Sequence, residues 1–330
     1  MFPKKPMIAF RPMVPGCFML IIIAIFSLNG CQNATSNGDS EAALQKPRLA
    51  VTTNILADGV GSLLQDDAEV QALMGPGVDP HLYKASQSDL ATLSQARIVV
   101  YNGLHLEGKM ADVLQRYGQQ KPTVAVAELV DENELLAPEG YRGAYDPHLW
   151  MDVALWRDAL LATADALKPH LPDQAAVLEK RKQALADTLA ALDEWVEEKI
   201  ERIPPQNRVL ITAHDAFSYF GRAYDIEVRG LQGIATTSEF GLQDVTRLVD
   251  FIIEREIPAL FVETSVSPRA IEAVVEGCRR RGHEVVIGGK LYSDALGAAG
   301  TPEGTYPGMI RHNVNTIVEA LSPKHATRTP

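Results

Sequence analysis

The stretch DQAAVLEKRKQALADTLAALDEWVEEKIERI, residues 173–203, decides the fold because it predicts a single long helix in the middle of the chain. Its apolar residues recur at intervals of three, four or seven, which is the spacing of one helix face. Pro172 before the stretch and Pro204 after it are typical of a helix start and a helix stop. A helix of about 31 residues is roughly 46 Å long. The pattern covers only about four heptads, so we favour a rigid connection between two lobes over a coiled-coil dimer.

Short apolar runs alternate with helix-like stretches on both sides of this helix, which is typical of an α/β architecture. Each side holds four candidate strands, which indicates two similar lobes, each a mainly parallel sheet flanked by helices. We therefore place an N-terminal lobe at 47–172 and a C-terminal lobe at 204–321, and expect a disordered tail at 322–330. The strands are predicted at residues 48–53, 69–73, 97–101 and 123–127, and at 208–212, 227–231, 258–263 and 284–287.

The N-terminus has the features of a bacterial secretory signal at residues 1–30. Basic residues precede an apolar segment at 18–28, which is shorter than the roughly 20 residues that a membrane span needs. The tetrapeptide LNGC at its end resembles a lipobox, and the lipidated cysteine would be Cys31. An uncleaved signal anchor is the alternative. The polar segment 31–46 is predicted to be a flexible tether.

Composition and charge restrict the classes of function. Removing residues 1–30 takes away three positive charges and no negative charge, which changes the formal net charge from −11 to −14. A protein with this net negative charge is not expected to bind nucleic acid, because such binding needs contacts between basic side chains and phosphates. Of the three cysteines, only Cys278 lies beyond Cys31. The mature body therefore has no intramolecular disulfide and no cysteine-based zinc site.

The tripeptide Asp-Pro-His occurs twice, at 79–81 and at 146–148, each time after a loop that contains glycine. Proline fixes its own backbone and holds the preceding residue extended, so each histidine follows a defined turn. One such tripeptide alone favours a plain turn. Two of them in the same lobe make His81 and His148 candidate metal ligands.

Two further candidates follow strands of the second lobe. His214 comes directly after the strand RVLITA, at the strand end where open α/β sheets place their ligands. Asp294 begins a loop rich in glycine and alanine. Either residue alone is typical of a helix cap or a solvated loop. Together, three histidines and one carboxylate are the donor set expected for zinc or manganese.

Several longer runs resemble a known family, the cluster A solute-binding proteins, which are the zinc- and manganese-binding lipoproteins of ABC importers. The resemblance extends in the family's order from about residue 48 to residue 321. The matching runs are GVDPHLYKASQSDL at 77–90, YNGLHLEGKM at 101–110, DPHLWMDV at 146–153, TAHDAFSYFGRAYDI at 212–226, FVETSVSPRAI at 261–271, LYSDALG at 291–297 and TYPGMIRHNV at 305–314.

The resemblance implies two lobes joined by one long helix, with a metal ion buried between them. By position, the family's ligands fall on His81, His148, His214 and Asp294. It also implies a monomer outside the cytoplasm, in the periplasm or at the cell surface, anchored to the membrane by lipid on Cys31. The transported ligand would be Zn²⁺ or Mn²⁺, and the partner would be an ABC importer permease with its cytoplasmic ATPase.

The identity of the ion is less sharply indicated than the site. Manganese-preferring relatives often carry Glu at the position of His214, so the histidine favours zinc. High-affinity zinc relatives often carry a loop rich in histidine and acidic residues, which this sequence lacks. We favour zinc, with manganese next. His105, Glu107 and Glu263 are candidates for orienting a ligand imidazole, although a buried histidine and strand-end caps would explain them equally.

Two other functions use the same residues. A secreted zinc hydrolase would need an open coordination position and a general base, for which Glu107 or Glu263 could be offered. The sequence holds no HExxH pair, nucleophile elbow or phosphate loop, and four ligands would leave no position for an activated water. We therefore predict a binding protein without enzymatic activity. A role as a surface adhesin is the second alternative.

Overall fold

The computed structural model describes residues 46–137, 143–238 and 240–322. The expected signal 1–30, Cys31, all of the tether except Lys46, and the tail after Ser322 lie outside these residues. Within the described ranges, no helix combines the length and the apolar character needed to cross a bilayer.

A four-stranded parallel sheet with the order β2-β1-β3-β4 forms the first half of the chain. All four strands were predicted, and each ends one or two residues before its expected boundary, except β3, which ends as expected. Strand β3 is apolar and buried over most of its length, as in a sheet covered on both faces. The elements are β1 (Arg48–Val51), α1 (Asn54–Leu64), β2 (Glu69–Ala72), α2 (Gln87–Gln95), β3 (Ile98–Tyr101), α3 (Ala111–Gly118), β4 (Thr123–Ala125) and α4 (Val153–Leu167).

The second half contains two parallel pairs, β5–β6 and β7–β8. Strands β5 and β7 lie side by side, but the described backbone hydrogen bonds do not join them into one sheet. Where β5 ends, the N–H of His214 donates to the carboxylate of Glu263 rather than to a carbonyl of β7. The elements are β5 (Val209–His214), α6 (Ser218–Tyr224), β6 (Glu227–Gln232), α7 (Leu242–Glu254), β7 (Ala259–Glu263), α8 (Arg269–Arg280), β8 (Val286–Leu291) and α9 (Tyr306–Leu321).

The long helix α5 (Ala175–Ile200) connects the two halves. It is shorter than the predicted 173–203, because a 3-10 turn at Pro172–Gln174 precedes it and residues after Ile200 leave the α-helical path. Its 26 residues make a rod of about 39 Å. It packs against α4 and α1 of the first half and against α9 of the second. The predicted connection between two α/β halves is therefore confirmed.

The largest hydrophobic core runs without interruption through both halves and the long helix. Fully burying one of its large apolar side chains contributes about 1.5–3 kcal/mol. A shared core restricts how far the halves can move apart. Its largest fully buried members are Trp150, Trp156, Tyr219, Tyr306, Phe217, Phe220 and Phe261.

Candidate metal centre

The four predicted ligands converge at one point between the two halves. His81, His148, His214 and Asp294 each offer an atom within 4.8 Å of the atoms of the others. His81 is 4% exposed, Asp294 1%, and the other two are fully buried. No other residue is needed to complete the donor set of three imidazoles and one carboxylate.

The spacing of the donor atoms fits a small cation. Nε2 of His81 lies 3.3 Å from Nε2 of His148. The carboxylate oxygens of Asp294 lie 3.5 Å from Nε2 of His148 and 3.4 Å from Nε2 of His214. Bonds of about 2.0–2.1 Å in a tetrahedron place neighbouring ligand atoms about 3.3–3.4 Å apart. These three separations therefore match those of a tetrahedral metal site, and all four ligand atoms lie within 4.8 Å of one another.

Both Asp-Pro-His tripeptides fold in the same way. In each, the aspartate Oδ1 accepts a hydrogen bond of 2.9 Å from the backbone N–H of the histidine two residues later, from His81 to Asp79 and from His148 to Asp146. This local bond is an Asx turn, which aspartate forms readily. The turn and the metal ligand are therefore not alternative interpretations of the tripeptide. Each Asx turn directs the imidazole of its own histidine into the site.

The remaining two ligands lie at the carboxyl ends of parallel strands, where side chains of neighbouring strands meet. His214 is the last residue of β5, rather than following it as predicted. Asp294 lies three residues after the end of β8. Because β5 and β7 are adjacent, the short loop after β8 brings the carboxylate to the end of β5.

Carboxylates stand behind two of the imidazoles. Oδ1 of Asp146 lies 2.7 Å from Nδ1 of His148, and Oε2 of Glu263 lies 2.6 Å from Nδ1 of His214, with all four side chains fully buried. The second contact is an ion pair outside the angular range of an aligned hydrogen bond. A carboxylate at Nδ1 keeps the proton there and presents the Nε2 lone pair to a metal ion.

Glu263, which the sequence suggested as a group that orients a ligand imidazole, lies beside the ring of His214. Asp146 lies beside the ring of His148 in the same way. Asp146 was not among the residues that the sequence suggested for this role, although its position two residues before His148 could have indicated it. The structure does not bring His105 to the site, since it is exposed and has a left-handed φ of 64°. Glu107 is buried, and its connection to the ligands runs through Asn102.

Glu107 supports the loop that carries His148. Its carboxylate accepts hydrogen bonds from Thr52 Oγ1 at 2.6 Å and from the backbone N–H of Asn102 at 2.7 Å. The Asn102 side chain in turn donates to the carbonyl of Pro147 at 3.1 Å. Glu107 thus acts through Asn102 on the backbone next to a ligand.

The pKa values of two of the imidazoles, His81 and His214, are shifted in opposite directions. Burial lowers the pKa of His81 to about 3, against an opposing effect of Asp294, so this ring is neutral at pH 7. Burial also acts to lower the pKa of His214, but Glu263 and Asp294 outweigh it and raise that pKa well above 6.5. Burial acts to raise the pKa of Asp294, but His214 outweighs it and the carboxyl pKa is lowered. Without metal, His214 therefore holds a proton that an incoming cation must displace.

Two donor atoms at the centre have no hydrogen-bond partner among the described residues. They are Nε2 of His214 and Oδ1 of Asp294, and both are buried. Buried polar atoms are normally satisfied by a partner. A nitrogen and an oxygen that both carry a lone pair once His214 has lost its proton, with no hydrogen bond to either, fit a site whose partner is a cation.

Comparison with known proteins agrees with this geometry. The family model for ZnuA, described as zinc-uptake complex component A, periplasmic, matches residues 49–320. The manganese-binding lipoprotein MntA of Bacillus subtilis (strain 168) is 47% identical over 306 residues, which cover 93% of this chain and 99% of that protein. The metal ABC transporter substrate-binding lipoprotein SsaB of Streptococcus sanguinis is 28% identical over 313 residues, covering 93% of this chain and 98% of that protein.

A solved structure extends the likeness to three dimensions. The zinc-binding protein TroA of Treponema pallidum (strain Nichols) is 43% identical over 301 residues, covering 91% of this chain and 97% of that protein. The structure of periplasmic TroA covers 84% of this chain and all of that chain, with a TM-score of 0.82 and 44% identity. The match of the family model over nearly the whole described chain, with the identity to these relatives, shows that the protein belongs to the ZnuA family of periplasmic metal-uptake components.

Proposed function

We propose that this protein captures a divalent transition metal ion outside the cytoplasm and delivers it to an ABC importer. The observation that carries the proposal is the convergence of the ligand atoms of His81, His148, His214 and Asp294 to within 4.8 Å of one another, with three of the separations at 3.3–3.5 Å. The names of the relatives support it, since they describe manganese-binding, zinc-binding and ABC transporter substrate-binding proteins.

The donor set favours zinc as the transported ion, with manganese as the second choice. Imidazole nitrogen suits zinc, whereas manganese prefers more oxygen ligands. The relatives do not decide between the ions, because the relative at 47% identity is named for manganese and the one at 43% for zinc. Both oxygens of Asp294 face histidine ligands, so the carboxylate could supply one or two oxygen donors.

Binding without catalysis fits the site better than hydrolysis. Four protein donors fill a tetrahedral shell and leave no position for an activated water. Glu263 is paired with His214, and Glu107 accepts hydrogen bonds from neighbouring groups, so neither is placed as a general base toward an open position. The relatives are named as binding proteins, which favours transport over a hydrolase or an adhesin.

Anchoring, assembly state and domain limits complete the proposal. A lipid on Cys31 would hold the protein at the membrane through the tether 31–46, after removal of residues 1–30. The relatives from Bacillus and Streptococcus are named lipoproteins, which supports such an anchor. We further propose a monomer with lobes at 47–172 and 204–321, whose shared core limits lobe movement on release. The permease, with its ATPase, would receive the ion.

Isothermal titration of the metal-stripped protein with Zn²⁺ and Mn²⁺ tests the proposal. We expect one ion per chain with submicromolar affinity, and a loss of at least a hundredfold in His214→Ala, because one of four ligands is missing. His105→Ala is the matched control, since that histidine is exposed and away from the site, and it should bind as the parent does. Failure of both ions to bind, or unchanged binding by His214→Ala, would refute the assignment.

A further inference from the structure

The three imidazoles of the site differ in what holds them. Nδ1 of His148 and Nδ1 of His214 each face a buried carboxylate. Within the part of the chain that the structure describes, no ion pair is made by the ring of His81. This histidine is instead positioned through its backbone, whose N–H donates to Asp79 Oδ1 at 2.9 Å. The position of His81 thus depends on what holds Asp79.

Asp79 is held from the other half of the chain. Its second oxygen, Oδ2, accepts a hydrogen bond of 2.6 Å from the hydroxyl of Thr236, which lies 157 residues later in the loop after β6. One carboxylate therefore joins the backbone of His81, on the first half, to a side chain of the second half. The bond lies at the rim of the site, since Asp79 and Thr236 are both partly exposed.

The opposite side of the site is tied across the halves by buried bonds. The indole Nε1 of Trp150 donates to the carbonyl of Ser293 at 2.9 Å, beside the aspartate ligand. The hydroxyl of Tyr219 donates to the carbonyl of Asp146 at 2.9 Å, beside His148. Both bonds are fully buried. The three ligands on this side are therefore held in a fixed arrangement, while His81 rests on a bond that water can reach.

We propose that Thr236 is a positioning residue for His81, and that the Thr236–Asp79 hydrogen bond is the latch that opens when the metal ion enters or leaves. The inference rests on the proposed function, because it takes His81 as a ligand. Among the described residues this hydrogen bond joins the turn that carries His81 to the second half, so breaking it loosens that turn. The ion would then keep three ligands while the fourth moves away, so release needs no wide separation of the lobes.

The latch predicts a specific change in kinetics. Thr236→Val keeps the shape of the side chain but removes the hydroxyl donor. A hydrogen bond to a charged group at a partly exposed position typically contributes about tenfold to an equilibrium. We expect zinc dissociation to be about tenfold faster in Thr236→Val. The loss of affinity should be smaller than the gain in dissociation rate, because an open latch also speeds association.

The experiment measures release of Zn²⁺ from the metal-loaded protein into excess chelator by stopped flow, with the melting temperature of the metal-free protein as a second readout. Thr236→Ser retains a hydroxyl and should release zinc at the parent rate. Thr237→Val is the matched control, since Thr237 is the exposed neighbour in the same loop, and it should also behave as the parent. The metal-free melting temperature of Thr236→Val should stay within about 2 °C of the parent.

Each outcome separates the latch from the proposed function. Zinc that bound the parent but left Thr236→Val at the parent rate would overturn the latch and keep the function. Lowered metal-free stability with unchanged release would overturn it too, since that is a purely structural role. Equally fast release in Thr236→Ser would show that the hydroxyl is not the relevant group. A parent protein that bound no metal would refute the proposed function itself.

Discussion

Replacing Glu263 with glutamine tests how the protein balances a proton against a metal ion at His214. Glu263 contacts this histidine twice, through Oε1 to the backbone N–H at 2.9 Å and through Oε2 to ring Nδ1 at 2.6 Å. Glutamine has nearly the same shape but only one acceptor oxygen and no charge. Glu263→Gln therefore keeps one of the two contacts and removes the charge behind the ring.

The change has two opposing effects on metal affinity. Removing the partner of a ligand histidine typically costs about 10–100-fold in affinity. The same carboxylate raises the pKa of His214 and so stabilises the proton that the metal must displace. Below the pKa of His214, each unit of pH costs about tenfold in apparent affinity. Lowering this pKa in the variant relieves proton competition at neutral and acidic pH, and has no effect once the ring is neutral in both proteins.

The loss of affinity should therefore grow with pH. We expect Glu263→Gln to bind zinc about 10–100-fold more weakly than the parent at pH 8.5. The difference should be smaller at pH 6.5. Zinc binding at pH 7 should also release fewer protons from the variant. Chelator competition between pH 6 and 8.5, with titration in buffers of different ionisation enthalpy, measures both quantities. Glu272→Gln is the control, because that carboxylate is exposed. A loss that is equal at every pH, or no loss at all, would refute the reasoning.

Three further substitutions test the ligand set, the link between the halves and the core. Asp294→Asn should weaken zinc binding by at least a hundredfold, measured by calorimetry, because the charged ligand of the site is lost. Trp150→Phe should lower the free energy of unfolding by about 1–3 kcal/mol in urea, because the buried carbonyl of Ser293 loses its donor; a change below 0.5 kcal/mol would contradict this role. Leu192→Ala, buried in α5, should cost about 2–5 kcal/mol, whereas Leu242→Ala, which is 82% exposed, should stay within about 0.5 kcal/mol.

Most elements of the fold could be predicted from local sequence patterns. Eight strands, one long helix and the α/β alternation could be predicted because each depends on residues close together in sequence. The limits of α5 were overestimated at both ends, since a 3-10 turn precedes Ala175 and a non-helical turn follows Ile200, and such short turns at helix ends are not distinguished by the apolar spacing. The separation of the second half into two parallel pairs was not predictable, because strand pairing depends on residues far apart in sequence.

In the candidate site, too, local features could be predicted and long-range contacts could not. The two tripeptides and the strand-end ligands were visible as motifs, but their partners were not. The bond between Thr236 and Asp79 spans 157 residues, and no local pattern indicates it. His105 and Glu107 lie two residues apart, and the sequence made both of them candidates for orienting a ligand imidazole. A left-handed turn directs the first outward and leaves the second buried, a difference that depends on backbone conformation.

The most direct test of the central claim is the position of a bound ion in crystals grown with zinc, located by anomalous scattering at the zinc edge. The account predicts one strong peak per chain, about 2.0–2.2 Å from Nε2 of His81, His148 and His214 and from the carboxylate of Asp294. A peak at other residues, with these four side chains uncoordinated, would contradict it.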